Sequence, residues 1–333
     1  MGEMQIPRIL AAFIVIAAAL GSAIAAQAQS YPSKPITLTI GFPAGGPSDT
    51  AARIIGEHMK GTLGQPIVVE SVTGAGATIA GAKVARAAPD GYNIILGNWT
   101  SHVGGGAIYP LNYHVMNDFE PISLLPASYL WIIGRSDLPA NNVKELVAWL
   151  KANPGKATAA TVGVGSAAQM CLVDFANKSG TTFQYIPYRG GAPAVRDLLG
   201  KQVDFGCLEV SQTLPHVAAG NLKPFGVVAK KRSPAAPNTP TLAEGGVPNV
   251  ELIFWQALWA PKGTPKPVID TLNAAVRKAL ADPAVQKRFA TLGQDIPTSD
   301  EQTPEALAKH HKAELDKWWP VMKAAGIKAP PAR

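Results

Sequence analysis

The sequence has few of the residues that hold small or metal-dependent proteins together. Its 333 residues include two cysteines, Cys171 and Cys207, which are too few for a disulfide scaffold. Neither lies in a CxxC or Cys/His pattern, so a structural zinc site is excluded. No two of the six histidines have the i, i+4 spacing of a helical metal site. We therefore expect no metal and no other cofactor, and the sequence leaves open whether the two cysteines pair.

Charged side chains are also sparse, at 16% of the chain, against 47% apolar residues. This apolar content excludes disorder for the bulk of the chain and suffices for one large core or two modest ones. The formal net charge is +7, but there is no block of five basic residues and no basic stripe interleaved with aromatics. Most charges are therefore expected on solvated faces, and nucleic acid is not expected as a partner.

One long apolar run is present, at the N-terminus. Arg8 precedes an unbroken apolar stretch over 9–20, a Gly-Ser break, and small residues ending at Ala28, the order of a secretory signal peptide. We predict cleavage near Ala28 and export of the mature protein. The alternative is an uncleaved membrane anchor, because the segment from Ile9 to Ala26 approaches the roughly 18 to 20 residues that span a bilayer.

From residue 36 onward, short β-rich runs alternate with helical patterns, which predicts an α/β fold with mostly parallel sheets. Strands are predicted over 36–42, 67–70 and 92–96, followed by two short strands over 121–125 and 130–133. The alternation then restarts, and a Pro-rich, charged segment over 230–240 is the most obvious linker. Further strands are predicted over 158–162, 183–188, 203–210, 222–229 and 252–259, and C-terminal helices over 265–281, 283–292 and 303–325.

The segment FPAGGPSD joins the first strand to a helix through two adjacent glycines. Its main-chain N–H groups can point into one concavity at the positive end of the helix, an arrangement that suits an anion. The alternative is a tight turn in which Asp49 caps the helix. The candidate ligand-binding residues are Phe42, Pro43, Ala44, Gly45, Gly46 and Asp49.

A second glycine turn, GAGA, follows the next strand and adds Gly74, Ala75, Gly76 and Ala77 to the candidates, because ligands of open α/β sheets bind at this edge. A third, GVGSAA over 163–168, matches the G-x-G-x-x-A dinucleotide pattern. Arg189 follows the next strand, where that site needs an acidic residue. The alternatives are an anion contact at Gly165 and Ser166, or a helix capped by Ser166. No nucleophile elbow supports a hydrolase.

Three more residues are candidates from their positions at strand ends. Asn98 and Trp99 follow the third strand, where the indole could flank a ligand or belong to the core. Asp204 opens a later strand and either binds the ligand or caps the strand. Trp255 and Trp259 are interpreted as packing residues.

Taken in order along the chain, the motifs resemble one family. They include FPAGGPSDTAARIIGEHM, GAGATIAG, PDGYNIIL, ANPGKAT, GVGS, YIPYRGG, PTLAEGGVP and FWQALWAPKGTP. They are similar to those of the Bug-type (Bordetella uptake) extracytoplasmic solute receptors, the substrate-binding proteins of tripartite tricarboxylate transporters. The resemblance covers nearly all of the chain after the signal peptide.

The resemblance implies a two-lobed, flytrap-like periplasmic-binding-protein fold of type II topology, with the ligand in the cleft between the lobes. It implies that backbone groups of residues 42–46, Gly74–Ala77 and the Gly165-Ser166 turn hold a ligand carboxylate. This chain departs from the family pattern at Ser71, Ala77, Gln169 and Met170. We assign residues 29–133 plus 253–333 to lobe 1 and 134–252 to lobe 2.

The resulting hypothesis is a monomeric, non-enzymatic receptor with no catalytic residues, which delivers a small carboxylate to the membrane permease subunits of such a transporter. Two alternatives remain at this point. One is a dinucleotide-dependent oxidoreductase that uses GVGSAA. The other is an effector-sensing module that signals to a membrane sensor. A transcriptional regulator is disfavoured because no N-terminal helix-turn-helix segment is present.

Overall fold

The computed structural model describes residues 31–328, and the predicted signal peptide lies outside this range. The first part of the chain alternates strands with helices, as its sequence predicts. The elements are β1 (Ile36–Ile40), α1 (Pro47–Leu63), β2 (Ile67–Ser71), a 3-10 turn (Ala75–Ala77), α2 (Thr78–Ala85), β3 (Asn93–Asn98), a π-helical turn (Thr100–Gly104), α3 (Gly105–Ile108) and β4 (Phe119–Arg135).

The later elements repeat the alternation and end in helices. They are α4 (Val143–Ala152), β5 (Thr158–Thr161), α5 (Ala167–Ser179), β6 (Gln184–Pro187), α6 (Gly191–Leu199), β7 (Phe205–Glu209), α7 (Val210–Ala218), β8 (Leu222–Val227), β9 (Ile253–Pro261), α8 (Lys266–Ala281), α9 (Pro283–Thr291), β10 (Gln294–Asp295) and α10 (Pro304–Ala324).

Two sheets share the long strand β4. The first has the order β2-β1-β3-β9-β4, with β10 also on β4, and the second has the order β4-β7-β5-β6, with β8 also on β4. In the first sheet β1 is parallel to β2 and β3, whereas β9 is antiparallel to β3 and β4. In the second sheet β5 is parallel to β6 and β7. The glycine turns that follow the parallel strands of each sheet therefore lie at one edge of that sheet.

Strand β4 corrects one prediction and explains the connection between the sheets. The two short strands predicted over 121–125 and 130–133 are one strand of 17 residues, which pairs with β9 at its start and with β7 and β8 at its end. The intervening Pro126 does not end the strand, because the register shifts between Leu125 and Ser128 absorb the missing donor, as irregular positions in strands do.

Local sequence explains the helix that leads to the site. In α1 the buried face is formed by Ala51, Ile54, Ile55 and Met59, the spacing of an amphipathic helix. Pro47 occupies the first turn, where its missing N–H costs little. Gly64 ends the helix in the left-handed region, with φ of 68°, as a C-terminal glycine commonly does.

The three C-terminal helices begin and end within two residues of their predicted bounds and pack on elements of the first sheet. The Asn273 side chain of α8 donates to the backbone oxygen of Ile122 in β4 at 2.7 Å. Trp319 of α10 donates to the Val103 oxygen at 3.0 Å. Residues 230–240 form a loop between β8 and β9 in which Arg232 pairs with Glu244 at 2.9 Å.

Candidate functional site

The turn between β1 and α1 is shaped by Asp49. Its carboxylate accepts a hydrogen bond from the Gly45 N–H at 3.0 Å and pairs with Arg53 at 2.9 Å. Burial raises the pKa of Asp49, but Arg53 and the Gly45 N–H more than offset this and lower it. Asp49 is not the helix cap, because Gly46 holds that position. Asp49 therefore fixes the turn and occupies one of the N–H groups that were predicted to bind the anion.

Other main-chain donors of the predicted site are also occupied within the chain. The N–H of Gly46 donates to Pro43 oxygen at 3.4 Å, and that of Ala77 to Gly74 oxygen at 2.9 Å. The Gly165 N–H donates to the Gln169 side chain at 2.6 Å. Fewer amides are thus available for a ligand than the glycine-rich sequence indicates.

Ser48 supplies two donors at the start of α1. No residue within 31–328 accepts a hydrogen bond from its main-chain N–H. Its hydroxyl accepts from the Asn98 side-chain amide at 3.1 Å, so the hydroxyl hydrogen is available to a ligand. Asn98 is itself held by Ser101, whose N–H donates to the Asn98 side-chain oxygen at 3.1 Å. The end of β3 and the start of α1 are thereby locked together.

The GAGA segment forms a turn in the left-handed region. The φ angles of Ala75, Gly76 and Ala77 are 45°, 64° and 73°, a conformation that costs a non-glycine residue about 1 to 2 kcal/mol. Ala77 packs so closely on Gly41 that a methyl group on Gly41 would overlap it. The turn therefore buttresses the end of β1, directly before the FPAGG segment.

A second glycine pair faces the first from across the sheets. Gly190 caps α6, and Gly191 and Ala192 form its first turn. No described residue accepts a hydrogen bond from the Gly191 or Ala192 N–H. This pair, in the segment YRGG, resembles Gly45 and Gly46 in preceding an apolar-faced helix. That signal could have identified it from sequence.

Gly165 and Ser166 have structural partners. The Ser166 hydroxyl accepts from the Gln169 N–H at 3.2 Å, so the helix-cap interpretation is confirmed. Ser166 is fully buried. The next residue, Ala167, donates its N–H to the Thr100 hydroxyl at 3.2 Å, which ties α5 to the π-helical turn.

The turns of the two sheets approach each other closely at two points. A methyl group on Gly104 would overlap the carbonyl oxygen of Gly165, and one on Gly190 would lie 3.0 Å from Pro43 Cδ. In each contact, a segment that follows a strand of the first sheet meets a segment that follows a strand of the second sheet. Glycine at these positions allows the two sides to meet.

Between these contacts lies a cavity of about 30 Å³. A water molecule needs roughly 10 to 15 Å³ of such space, so the cavity has room for water and not for an organic acid. It is lined from both sides by Phe42, Pro43, Gly46, Pro47, Ser48, Asn98, Thr100, Val162, Gly190, Gly191, Ala192, Glu209 and Phe254. None of these residues is Lys or Arg. Any anion here is held by backbone dipoles, hydroxyls and amides.

Of the predicted candidates, Phe42, Pro43, Gly46 and Asn98 line this cavity and the others do not. Two of those others have structural roles elsewhere. Trp99 is fully buried and packs edge-on against Trp318, with ring centroids 5.4 Å apart. Asp204 precedes β7 at its amino end, where it pairs with Arg135 at 3.1 Å and accepts from the Thr158 N–H at 2.8 Å. The cavity lies at the carboxyl end of that strand, where Glu209 stands. Trp255 and Trp259 are buried, as the packing interpretation predicts.

The two cysteines form a disulfide that joins α5 to β7, Cys171 to Cys207. Within residues 31–328, no helix is both long and apolar enough to cross a bilayer. The same range holds no group of three His, Cys, Asp or Glu side chains placed to bind a metal ion.

Residues 51–327 match the family described as the tripartite tricarboxylate transporter family receptor, TctC. The chain belongs to this family. It is accordingly a solute-binding receptor, and the predicted two-lobed, periplasmic-binding-protein-like α/β fold is confirmed by its solved relatives.

Three solved structures illustrate the similarity. The periplasmic binding protein BugD is 40% identical, with a TM-score of 0.85 over 90% of this chain and 99% of its own. MatC from Rhodopseudomonas palustris, solved with bound malate, is 33% identical, with a TM-score of 0.83 over 87% and 99%. The R. palustris protein Rpa4515, solved with adipate, is 28% identical, with a TM-score of 0.85 over 90% and 99%.

Behind the carboxyl end of β3, this receptor buries a histidine pair. The His102 ring stacks on Trp259 with centroids 3.9 Å apart, and His311 Nε2 donates to the His102 backbone oxygen at 2.9 Å. Burial lowers the pKa of His311 to about 4, the hydrogen bond to His102 opposing this in part. Burial, with a smaller effect of His311, lowers the pKa of His102 as well.

The stability of the receptor should therefore fall as the medium is acidified. An unfolded histidine is protonated below about pH 6.5, whereas the pKa of folded His311 is about 4. The unfolded state therefore binds more protons between pH 6.5 and pH 4, and the free energy of unfolding falls as the pH falls through that window. For His311 alone we expect a loss of about 2 kcal/mol at pH 5 relative to pH 7. Denaturant unfolding at a series of pH values measures this.

The matched variants are His311→Gln, which keeps a donor for the His102 oxygen but cannot titrate, and His216→Gln, which removes a half-buried histidine elsewhere. We expect a shallower pH dependence only in the first. An unchanged slope in His311→Gln would contradict this role of His311.

Proposed function

We propose that this receptor binds a small organic carboxylate between its two lobes, assigned as residues 29–133 plus 253–333 and 134–252. The observation that carries the proposal is the pair of helix N-termini, of α1 and α6, that face one cavity from opposite sheets. Their N–H groups at Ser48, Gly191 and Ala192 have no acceptor among the described residues. Each helix terminus contributes about 0.3 to 1 kcal/mol to anion binding when exposed and up to about 2 when partly buried.

The relatives solved with malate and adipate support a carboxylate as the ligand class. The absence of Lys and Arg from the cavity lining means that the carboxylate would be recognised by hydrogen bonds from neutral donors. Hydrogen bonds to a charged group are stronger than those between neutral groups, and the closing of the cleft would exclude competing water.

Closure follows from the small volume of the cavity. An organic acid can enter only when the lobes part. On closure the cavity would have to widen around the acid, while the Gly104–Gly165 and Gly190–Pro43 contacts at its edges re-form. Strand β4 runs from one sheet into the other, and its irregular register near Ser128 is the natural place for bending. A ligand shifts this equilibrium only if it binds the closed state more tightly.

The remaining parts of the proposal concern the cell. We propose that the chain acts in the periplasm after cleavage near Ala28, and that it hands its ligand to the permease subunits of a tripartite tricarboxylate transporter. The family description supports this partnership. The occupied Gly165 amide and the buried Ser166 argue against dinucleotide binding at GVGSAA.

The test uses the purified mature protein and pairs of ligands that differ only in charge. Mono-, di- and tricarboxylates are compared with their amides by calorimetry and thermal unfolding. At a ligand concentration 100 times Kd, the free energy of unfolding should rise by about 2.7 kcal/mol for a binding acid, and the matching amide should have no effect. Equal responses to acid and amide, or none to any acid, would contradict carboxylate binding.

A further inference from the structure

Glu209 is the acidic side chain that faces the ligand cavity. It is the last residue of β7, where it pairs with Leu130, and it caps α7. It lines the 30 Å³ cavity and also a second one of about 10 Å³, together with Val162 and Phe254, which are common to both. Glu209 therefore stands where the two spaces meet, on the wall opposite Ser48 and Asn98.

The surroundings of this carboxyl group contain hydroxyls and apolar groups. The Ser211 hydroxyl donates to Glu209 at 3.4 Å, and the Ser128 hydroxyl donates to Ser211 at 3.2 Å. No Lys, Arg or His lines either cavity. Burial raises the pKa of Glu209 to about 8, with a smaller opposite effect of Ser128 and Ser211. Among residues 31–328, none of the side chains that line these cavities provides a cation for this acid.

A ligand carboxylate held by the α1 terminus changes the charge balance of the cavity. Two carboxylates in one apolar enclosure repel each other unless they share a proton or a donor lies between them. Because its pKa is raised to about 8, Glu209 is mostly protonated at pH 7, and it penalises a second anion at the far end of the ligand only when it is ionised. A ligand whose far end bears a hydrogen-bond donor gives the Glu209 carboxyl group a further donor besides the Ser211 hydroxyl.

We infer that Glu209 is a specificity-determining residue which receives a hydrogen-bond donor of the ligand, so that the site selects hydroxy- or amino-substituted carboxylates over the unsubstituted acids. This inference rests on the proposed function and identifies the ligand class for the same site. The hydroxyl and the ammonium group share the donor chemistry, and the experiment separates them.

The experiment compares ligands of one skeleton that differ at a single position. Succinate, L-malate and L-aspartate form a four-carbon series, and benzoate, 4-hydroxybenzoate and 4-aminobenzoate form an aromatic series. Calorimetry on the full mature chain at pH 9, above the pKa of about 8 that burial gives Glu209, should show at least one donor-bearing member binding about tenfold or more tighter than its unsubstituted parent, the size expected for a hydrogen bond to a charged group.

Variants then assign this preference to the side chain. Glu209→Leu should reduce the preference to below about threefold, because the acceptor is gone. Glu209→Gln should keep a preference for a hydroxyl but lose one for an ammonium group, since it retains an acceptor without charge. Glu57→Leu, at an exposed position of α1, is the matched control and should retain the wild-type preference. Melting temperatures confirm that each variant is folded.

The possible failures are distinguishable. Acids that bind without a preference for the donor-bearing members, or a preference that survives in Glu209→Leu, would overturn the role of Glu209 and leave carboxylate binding standing. A lack of binding by every acid in both series would overturn the proposed function and this inference with it.

Discussion

Replacing Gly104 with alanine is expected to weaken ligand binding by about 100-fold while leaving the unliganded protein folded. Gly104 has helical backbone angles, with φ of −61° and ψ of −46°, and alanine favours a helix by about 1 kcal/mol over glycine. The added methyl group would, however, overlap the Gly165 carbonyl oxygen when the two sides meet. Overpacking of this kind costs about 1 to 3 kcal/mol, and 1.4 kcal/mol corresponds to about tenfold in affinity.

The neighbouring Gly105→Ala variant is the matched control. A methyl group there would have its nearest contact at 3.4 Å, with Thr78, an ordinary van der Waals distance. Calorimetry with a binding carboxylate, together with melting temperatures of both variants without ligand, compares the two. Equal affinities for Gly104→Ala and wild type would show that the Gly104–Gly165 contact is not made in the liganded state.

Breaking the Cys171–Cys207 disulfide is expected to lower the free energy of unfolding by about 3 to 4 kcal/mol, the stabilisation associated with constraining a loop of this length in the unfolded chain. The two residues are separated by 36 positions and are both buried. The bond joins α5 to β7, next to the wall of the smaller cavity, where Cys207 lies.

Denaturant unfolding with and without a reductant measures this effect. The double variant Cys171→Ala, Cys207→Ala should be as unstable as the reduced wild type and should not respond to the reductant. Coinciding unfolding curves for oxidised and reduced wild type would contradict a stabilising disulfide.

Several elements could be predicted from sequence because the signals for them are local. The helices α8, α9 and α10 are preceded by Pro265, Asp282 and Thr303, and their apolar residues repeat with helical spacing. Strand β4 was predicted as two pieces because Pro126 interrupts its pattern. Helix α7 was missed, since the strand-like run over 203–210 continues into it without a glycine or proline.

The residues of the proposed site are harder to predict because they depend on which strand ends meet. Asp204 and Glu209 lie at opposite ends of β7, and only the pairing of β7 with β5 and β4 shows which end faces the cavity. The same pairing brings Gly190 to Pro43 and Cys171 to Cys207. Sequence spacing carries no information about such contacts, because residues far apart along the chain make them.

The sequence alone determined the alternation of strands and helices, the glycine turns between them and the C-terminal helices. Hydrophobic periodicity and the special backbone conformations of glycine and proline act over a few residues. The tertiary structure decided which amides lack an acceptor within the chain. It also brought the N-termini of α1 and α6 together and placed Glu209 beside them. These arrangements depend on strand order and register, which are settled only when the two sheets assemble through β4.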